Sequence, residues 1–157
     1  KTRSLLTALF SFILDYEERL GEIRLRSHRG GSIQPFLDHL FDGARLWESL
    51  LQYFGSNDAT LRPKIQFHAV ELSLTDLSIL KSNQTLQDAS IIYDQHEAEN
   101  SPAHVRDYAA SFVIRNTTGH TLIWDDTFND EGSYTKLYKA LLGTLFYTIS
   151  KLYSENT

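Results

Sequence analysis

Residues 4–27 of the chain, SLLTALFSFILDYEERLGEIRLRS, decide the class of fold. Their apolar side chains recur at intervals of three and four positions, which is the spacing that places side chains on one face of an α-helix. The pattern predicts one long amphipathic helix over these residues. The cations of RLRSHRGG, residues 24–31, indicate either the end of that helix before its double glycine or a phosphate-binding segment.

The same spacing predicts further helices in the first two thirds of the chain. Ser32 is suited to cap a second helix with Pro35 in its first turn, and the apolar pattern extends to Phe54. Residues 65–80 alternate early and show helical spacing later, which favours a helix. Residues 85–100 fit either a short helix or an irregular connection.

Two more helices are predicted in the last third. Ser101 followed by Pro102 is a favourable helix start, and Ser133 begins a helix with a wide apolar stripe. Four or five helices without a repeat predict an all-α bundle in one domain, residues 1–157. The chain begins with Lys1 and contains no methionine, which is compatible with a fragment of a longer protein.

The composition excludes several classes of function. The chain has 157 residues and no cysteine, so it cannot build a disulfide framework, a thiolate zinc site or a cysteine nucleophile. The lack of cysteine favours the cytoplasm. No run of about 18 apolar residues is present, which argues against a membrane span. A net charge of -5 means that any contact with nucleic acid has to be local.

The common metal and nucleotide motifs do not occur in the sequence. It contains neither a phosphate-binding glycine loop nor an H-E-x-x-H pair, and we expect no metal and no cofactor. Asp125 and Asp126, after Trp124, indicate a solvated acidic turn or, alternatively, a pair that orients a catalytic group. Histidines scattered over other predicted elements are interpreted as surface or structural residues in preference to metal ligands: His39, His68, His96 and His104.

A polar constellation interrupts the apolar stretch SFVIRNTTGHTLIW, residues 111–124. Four residues separate Arg115 from His120, and Asn116 follows the arginine. This arrangement resembles the R-x4-6-H motif of the HEPN superfamily, a group of all-helical domains of which many are ribonucleases. In that family a polar residue commonly follows the arginine, and the motif lies late in a helical bundle. The resemblance implies an HEPN-like fold.

Two interpretations compete with this resemblance. Arg62 and His68 have a similar spacing, but Pro63 and an expected loop position indicate a chance match. Alternatively, Arg115 binds a carboxylate and His120 caps a helix end, in which case both residues are structural.

The chemistry of RNA cleavage gives the three residues catalytic roles. Without a metal, the reaction requires deprotonation of a ribose 2′-hydroxyl, stabilisation of charge on the phosphate and protonation of the leaving 5′-oxygen. His120 can exchange protons, Arg115 can bind phosphate oxygens and Asn116 can orient either partner. Five positions of an ideal helix leave the arginine and the histidine roughly 140° apart. Either the chain bends near residues 117–119 or a second subunit completes the site.

The resemblance implies a homodimer, because motifs from two protomers of HEPN ribonucleases meet at a shared cleft. We predict that the contact includes residues 111–124 and part of the last helix. The hypothesis is a metal-independent endoribonuclease that cleaves RNA in the cytoplasm as the effector of a prokaryotic defence or stress-response system. An upstream sensor domain or an antitoxin is a candidate partner. The alternatives are a catalytically silent helical module for dimerisation or binding, and a helical domain unrelated to HEPN.

Overall fold

The computed structural model describes residues 2–29, 34–81, 85–117 and 131–155, and all regular structure within these ranges is helical. The predicted all-α bundle is confirmed. The described ranges contain six α-helices instead of four or five, because a two-turn helix follows the second long one. The helices are α1 (Thr2–Arg29), α2 (Gln34–Tyr53), α3 (Leu61–Phe67), α4 (Leu86–Ala98), α5 (Ala103–Thr117) and α6 (Glu131–Glu155).

Three mutually packed helices, α2, α5 and α6, form the centre of the bundle. Trp47 of α2 and Tyr108 of α5 are fully buried and meet edge to face, with ring centroids 5.0 Å apart. α1 packs outside against α2 and α6, whereas α4 packs outside against α5 and α6. Among the described helices, none is both long and apolar enough to cross a membrane.

Four helices lie where the apolar spacing predicts them. α1 covers the predicted residues 4–27 and extends to Arg29. Pro35 lies in the first turn of α2, while Ser32 lies outside the described residues. α5 begins directly after Pro102, and α6 begins two residues before Ser133.

The end of α2 is fixed by a glycine in the left-handed region. Gly55 has φ of 126°, a conformation that is unfavourable for a residue with a side chain. Its amide donates to the carbonyl of Gln52 (3.1 Å), and the amide of Ser56 donates to that of Leu51 (3.2 Å). These two bonds form a Schellman motif, which satisfies carbonyls that the helix leaves unpaired.

The helix predicted for residues 65–80 is wrong over most of its length. Only residues 65–67 belong to α3, and Ser73 has φ of 55°, which ends helical continuation. The Asp76 carboxylate accepts from the amide of Ser78 (3.0 Å) and caps a separate 3₁₀ turn, Leu77–Ile79. This local bond competes with a continuous helix. The apolar residues that suggested the helix lie in turns and irregular backbone, and their side chains are nevertheless buried: Leu72, Leu74 and Leu80.

Within residues 85–100, α4 spans Leu86–Ala98, which settles the alternative left open by the sequence. Thr85 and Asp88 make a capping box at the start of α4. The Asp88 amide donates to the Thr85 hydroxyl (3.1 Å), and the Thr85 amide donates to the Asp88 carboxylate (3.2 Å). The reciprocal bonds satisfy amides that have no partner within the helix.

Gly43 allows α1 and α2 to approach closely. A Cβ atom at this position would lie 2.5 Å from the ring of Phe12, so a larger residue would force the ring to move. α2 nevertheless continues without interruption from Gln34 to Tyr53. The glycine therefore serves helix packing.

His39 joins α1, α2 and α6 inside the bundle. Its Nε2 lies 2.7 Å from the carbonyl oxygen of Phe12, and its Nδ1 contacts the hydroxyl of Tyr134. A carbonyl can only accept, so Nε2 donates and Nδ1 accepts from the tyrosine. Burial lowers the pKa of His39 and outweighs the hydrogen bond to the Phe12 carbonyl and the nearby carboxylates of Asp15 and Asp42, which act in the opposite direction. The neutral ring therefore suits the site.

We predict that the protein loses stability as the pH falls below about 6.5, and that His39→Gln reduces this loss. The unfolded imidazole takes up a proton at a higher pH than the folded one, because the folded pKa is lowered. Acid therefore stabilises the unfolded state. Chemical unfolding of both proteins between about pH 8 and pH 5 measures the difference. Identical pH profiles would show that His39 does not contribute.

Candidate functional site

The last turn of α5 brings Arg115 to the surface of the bundle. The Arg115 side chain is 31% exposed, and Asn116 is half-buried beside it. The apolar residues that directly precede Arg115 belong to the core of the same chain. These neighbours are buried: Ser111, Phe112, Val113, Ile114 and Thr117. In the described part of 111–124, only Arg115 and Asn116 are therefore accessible.

The carboxylate of Glu48 on α2 forms an ion pair with Arg115. Nε of Arg115 donates to Oε2 of Glu48 at 2.6 Å. The other carboxylate oxygen, Oε1, accepts from Nζ of Lys64 on α3 at 2.8 Å. These three side chains, here called the Glu48 cluster, connect α2, α3 and α5.

The Glu48 cluster is largely shielded from water and carries one net positive charge. The side chains of Lys64 and Glu48 are only 7% and 13% exposed. Burial acts to raise the pKa of Glu48, but the hydrogen bonds and charges of Lys64 and Arg115 outweigh it and lower the pKa from its ordinary value. Glu48 therefore stays ionised near neutral pH. The formal charges of these three side chains sum to plus one.

The other predicted site residues lie outside the described part of the chain. His120 lies there, as does the acidic pair Asp125 and Asp126. The structure therefore gives the positions of Arg115 and Asn116 and their relation to the Glu48 cluster. The dimer contact predicted through 111–124 stays a prediction for residues 118–124, since most residues of 111–117 are buried in their own bundle.

The competing pair, Arg62 and His68, has structural partners. Arg62 lies in α3 and not in the expected loop, and its guanidinium donates to the carbonyls of Leu77 (3.1 Å) and Leu80. His68 is buried, with Nε2 3.1 Å from the carbonyl of Leu51. These bonds fasten the irregular segment after α3 and the end of α2, which explains both residues without catalysis.

The remaining histidines with described side chains also contact structural partners. Nδ1 of His96 lies 2.9 Å from the hydroxyl of Ser101. His104 stacks on Tyr147 with ring centroids 4.5 Å apart. Within the residues that the structure describes, no three side chains of histidine, aspartate or glutamate are grouped so that they could hold a metal ion.

Sequence reasoning missed Glu48 and Lys64. A signal was present for Lys64, because it shares a helix face with Leu61 and Ile65, both of which are buried. A cation on an apolar face requires a partner. The partner could not be named from the sequence, since Glu48 is 16 residues away and belongs to another helix.

Comparison with known proteins identifies no relative of this chain. No family model, curated protein or solved structure matches the chain. Any functional assignment consequently depends on the residues themselves and on their arrangement.

Proposed function

We propose that this chain is an HEPN-like, metal-independent endoribonuclease with Arg115, Asn116 and His120 as its catalytic residues. The supporting observation is the position of Arg115. It lies at an accessible helix end, and its guanidinium is oriented by Glu48, whose second oxygen is bound by Lys64. An oriented cation of this kind suits a phosphodiester, whose charge increases in the transition state.

The proposed reaction is an intramolecular transesterification, in which the phosphate of the RNA strand passes from the 5′-oxygen to the neighbouring 2′-oxygen. His120 takes part in proton transfer as the ribose 2′-oxygen attacks the adjacent phosphorus and the bond to the 5′-oxygen breaks. Arg115 binds the phosphate oxygens, on which negative charge accumulates, and Asn116 orients the arginine or the phosphate. The leaving 5′-oxygen gains a proton. The products carry a 2′,3′-cyclic phosphate and a 5′-hydroxyl.

Glu48 has a positioning role in this proposal. It does not contact the RNA but fixes the direction of the Arg115 side chain through a 2.6 Å charged hydrogen bond. Fixing the arginine before the substrate binds reduces the cost of organising the site during the reaction. Lys64 compensates the buried carboxylate, so Glu48 does not cancel the charge of Arg115.

The proposed enzyme is a homodimer that acts inside the cell under the control of a partner. Two protomers share the cleft, so that His120 and Arg115 reach one phosphate, whereas five positions of an ideal helix would place them roughly 140° apart. The enzyme acts in the cytoplasm as the effector of a prokaryotic defence or stress response. An upstream sensor domain or an antitoxin controls it.

One observation favours a second candidate function, a catalytically silent helical module. The bond between Arg115 and Glu48 by itself accounts for the arginine, since it connects the ends of two central helices. In that case the charge pair is a structural crosslink, and the accessible surfaces serve binding alone.

We expect RNA cleavage to continue in excess EDTA. The proposed chemistry uses side chains as proton donors, proton acceptors and charge stabilisers, and requires no metal. Incubation of a labelled RNA with and without chelator, followed by analysis of the product ends, tests this. A loss of cleavage in EDTA that a divalent metal restores would contradict the proposed mechanism.

A further inference from the structure

α1 exposes a row of apolar side chains on its outer face. Leu6, Phe10 and Leu14 are 48%, 61% and 72% exposed, although the opposite side of α1 packs against α2 and α6. At about 100° per residue, the three side chains fall in one narrow sector of the helix surface. A continuous exposed apolar row of this kind indicates an interaction surface.

Charges of opposite sign stand at the two ends of this row. Arg3 and Glu17 are exposed, and all five side chains fall within roughly 80° of the helix circumference. The row, here called the α1 stripe, therefore reads cation, leucine, phenylalanine, leucine, anion. Its spacing is symmetric about Phe10, since each leucine lies four residues from it and each charge seven. Such a stripe is complementary to a reversed copy of itself.

We propose that two copies of this chain associate through their α1 stripes, antiparallel and related by a two-fold axis near Phe10. Leu6 of each copy then faces Leu14 of the other, and the two Phe10 rings meet at the axis. Arg3 of each copy faces Glu17 of the other, which gives two attractive charge pairs. A surface that contacts itself across a two-fold axis is the commonest arrangement in homodimers.

An apolar groove beside the stripe accommodates the leucine of the second copy. The groove has a volume of about 320 Å³ and lies between α1, α2 and α6, with Leu6, Leu50 and Tyr153 among its walls. Because Leu14 of the second copy faces Leu6, it reaches the edge of this groove. Leu14 is also the most exposed of the three apolar side chains in the stripe.

The α1 contact is separate from the proposed catalytic residues. Arg115 lies on α5, whereas the stripe lies on α1, which packs against α2 and α6. The α1 contact is therefore a second two-fold contact, distinct from the proposed shared cleft. It does not depend on the ribonuclease activity, and its test needs no RNA.

A single introduced thiol tests the position of the axis. The chain contains no cysteine, so Phe10→Cys has one thiol per copy, and the axis brings two of them together. We expect a disulfide-linked dimer to form at least about tenfold faster than with the control Phe67→Cys. Phe67 lies on α3, and its exposed fraction of 59% is similar to that of Phe10. Equal rates for the two variants would overturn the proposal.

Charge exchange tests the antiparallel orientation. Arg3→Glu and Glu17→Arg each place like charges at both ends of the α1 contact, so each should raise the dissociation constant of that contact by about tenfold. An equimolar mixture of the two variants restores both attractive pairs and should associate as wild type does. Glu18→Arg, at an exposed position outside the stripe, is the control. The antiparallel contact is wrong if the mixture associates no better than either variant in sedimentation velocity.

Discussion

Alanine in place of Arg115 or His120 is expected to lower the rate of RNA cleavage by about 100-fold or more while the protein stays folded. Arg115→Ala removes one of the two cations at Glu48, but Lys64 still holds the carboxylate at 2.8 Å. The free energy of unfolding should therefore fall by only about 1.5–3 kcal/mol, the range for a hydrogen bond to a charged group. Single-turnover cleavage and thermal unfolding of the same samples measure the two effects.

Arg62→Ala is the matched control for Arg115→Ala. It removes a guanidinium that donates to the carbonyls of Leu77 and Leu80 and lies 5.2 Å from the ring centroid of Phe112. We expect a lower melting temperature and unchanged cleavage per folded molecule. Wild-type cleavage by Arg115→Ala, together with a loss of stability, would instead favour the structural crosslink.

Replacement of Glu48 by glutamine is expected to lower the free energy of unfolding by about 3–5 kcal/mol. The substitution keeps the shape of the side chain but leaves the ammonium of Lys64, 7% exposed, without a counter-ion. The effect should depend on pH with a definite sign. Because the folded pKa of Glu48 is lowered, its stabilising contribution is present above the ordinary carboxyl pKa and is lost as the pH falls through the folded value.

Denaturant unfolding at about pH 7 and about pH 4 measures this contribution. The difference between wild type and Glu48→Gln should be smaller in acid. The double variant Glu48→Gln/Lys64→Met, which removes the buried cation as well, should be more stable than Glu48→Gln alone. A difference at pH 7 below about 1 kcal/mol would show that the cluster behaves as a solvent-screened surface salt bridge.

Apolar periodicity was sufficient to predict the long helices but not the segment after α3. The spacing over residues 4–27 is that of one amphipathic face, and α1 follows it. Residues 65–80 are also rich in apolar side chains. Most of this segment nevertheless forms turns, in which Ser73 adopts a positive φ and Asp76 caps a 3₁₀ turn. Periodicity reports which side chains are buried, and irregular backbone can bury them equally well.

The candidate site was predictable only in part, for a different reason. The helix that carries Arg115 follows from Pro102 and the apolar residues after it. The partner of Arg115 does not, because Glu48 lies 67 residues away and the two meet only once α2 and α5 pack together. Contacts between distant parts of a chain depend on the packing of whole helices, which local patterns do not specify.

Single-turnover cleavage of a labelled RNA by His120→Ala, measured beside wild type in excess EDTA, tests the ribonuclease assignment most directly. The proposal predicts wild-type products that end in a 2′,3′-cyclic phosphate and a 5′-hydroxyl. It also predicts cleavage by the folded variant that is slower by about 100-fold or more. Cleavage at the wild-type rate by folded His120→Ala would contradict the assignment and leave the silent helical module as the better account of this chain.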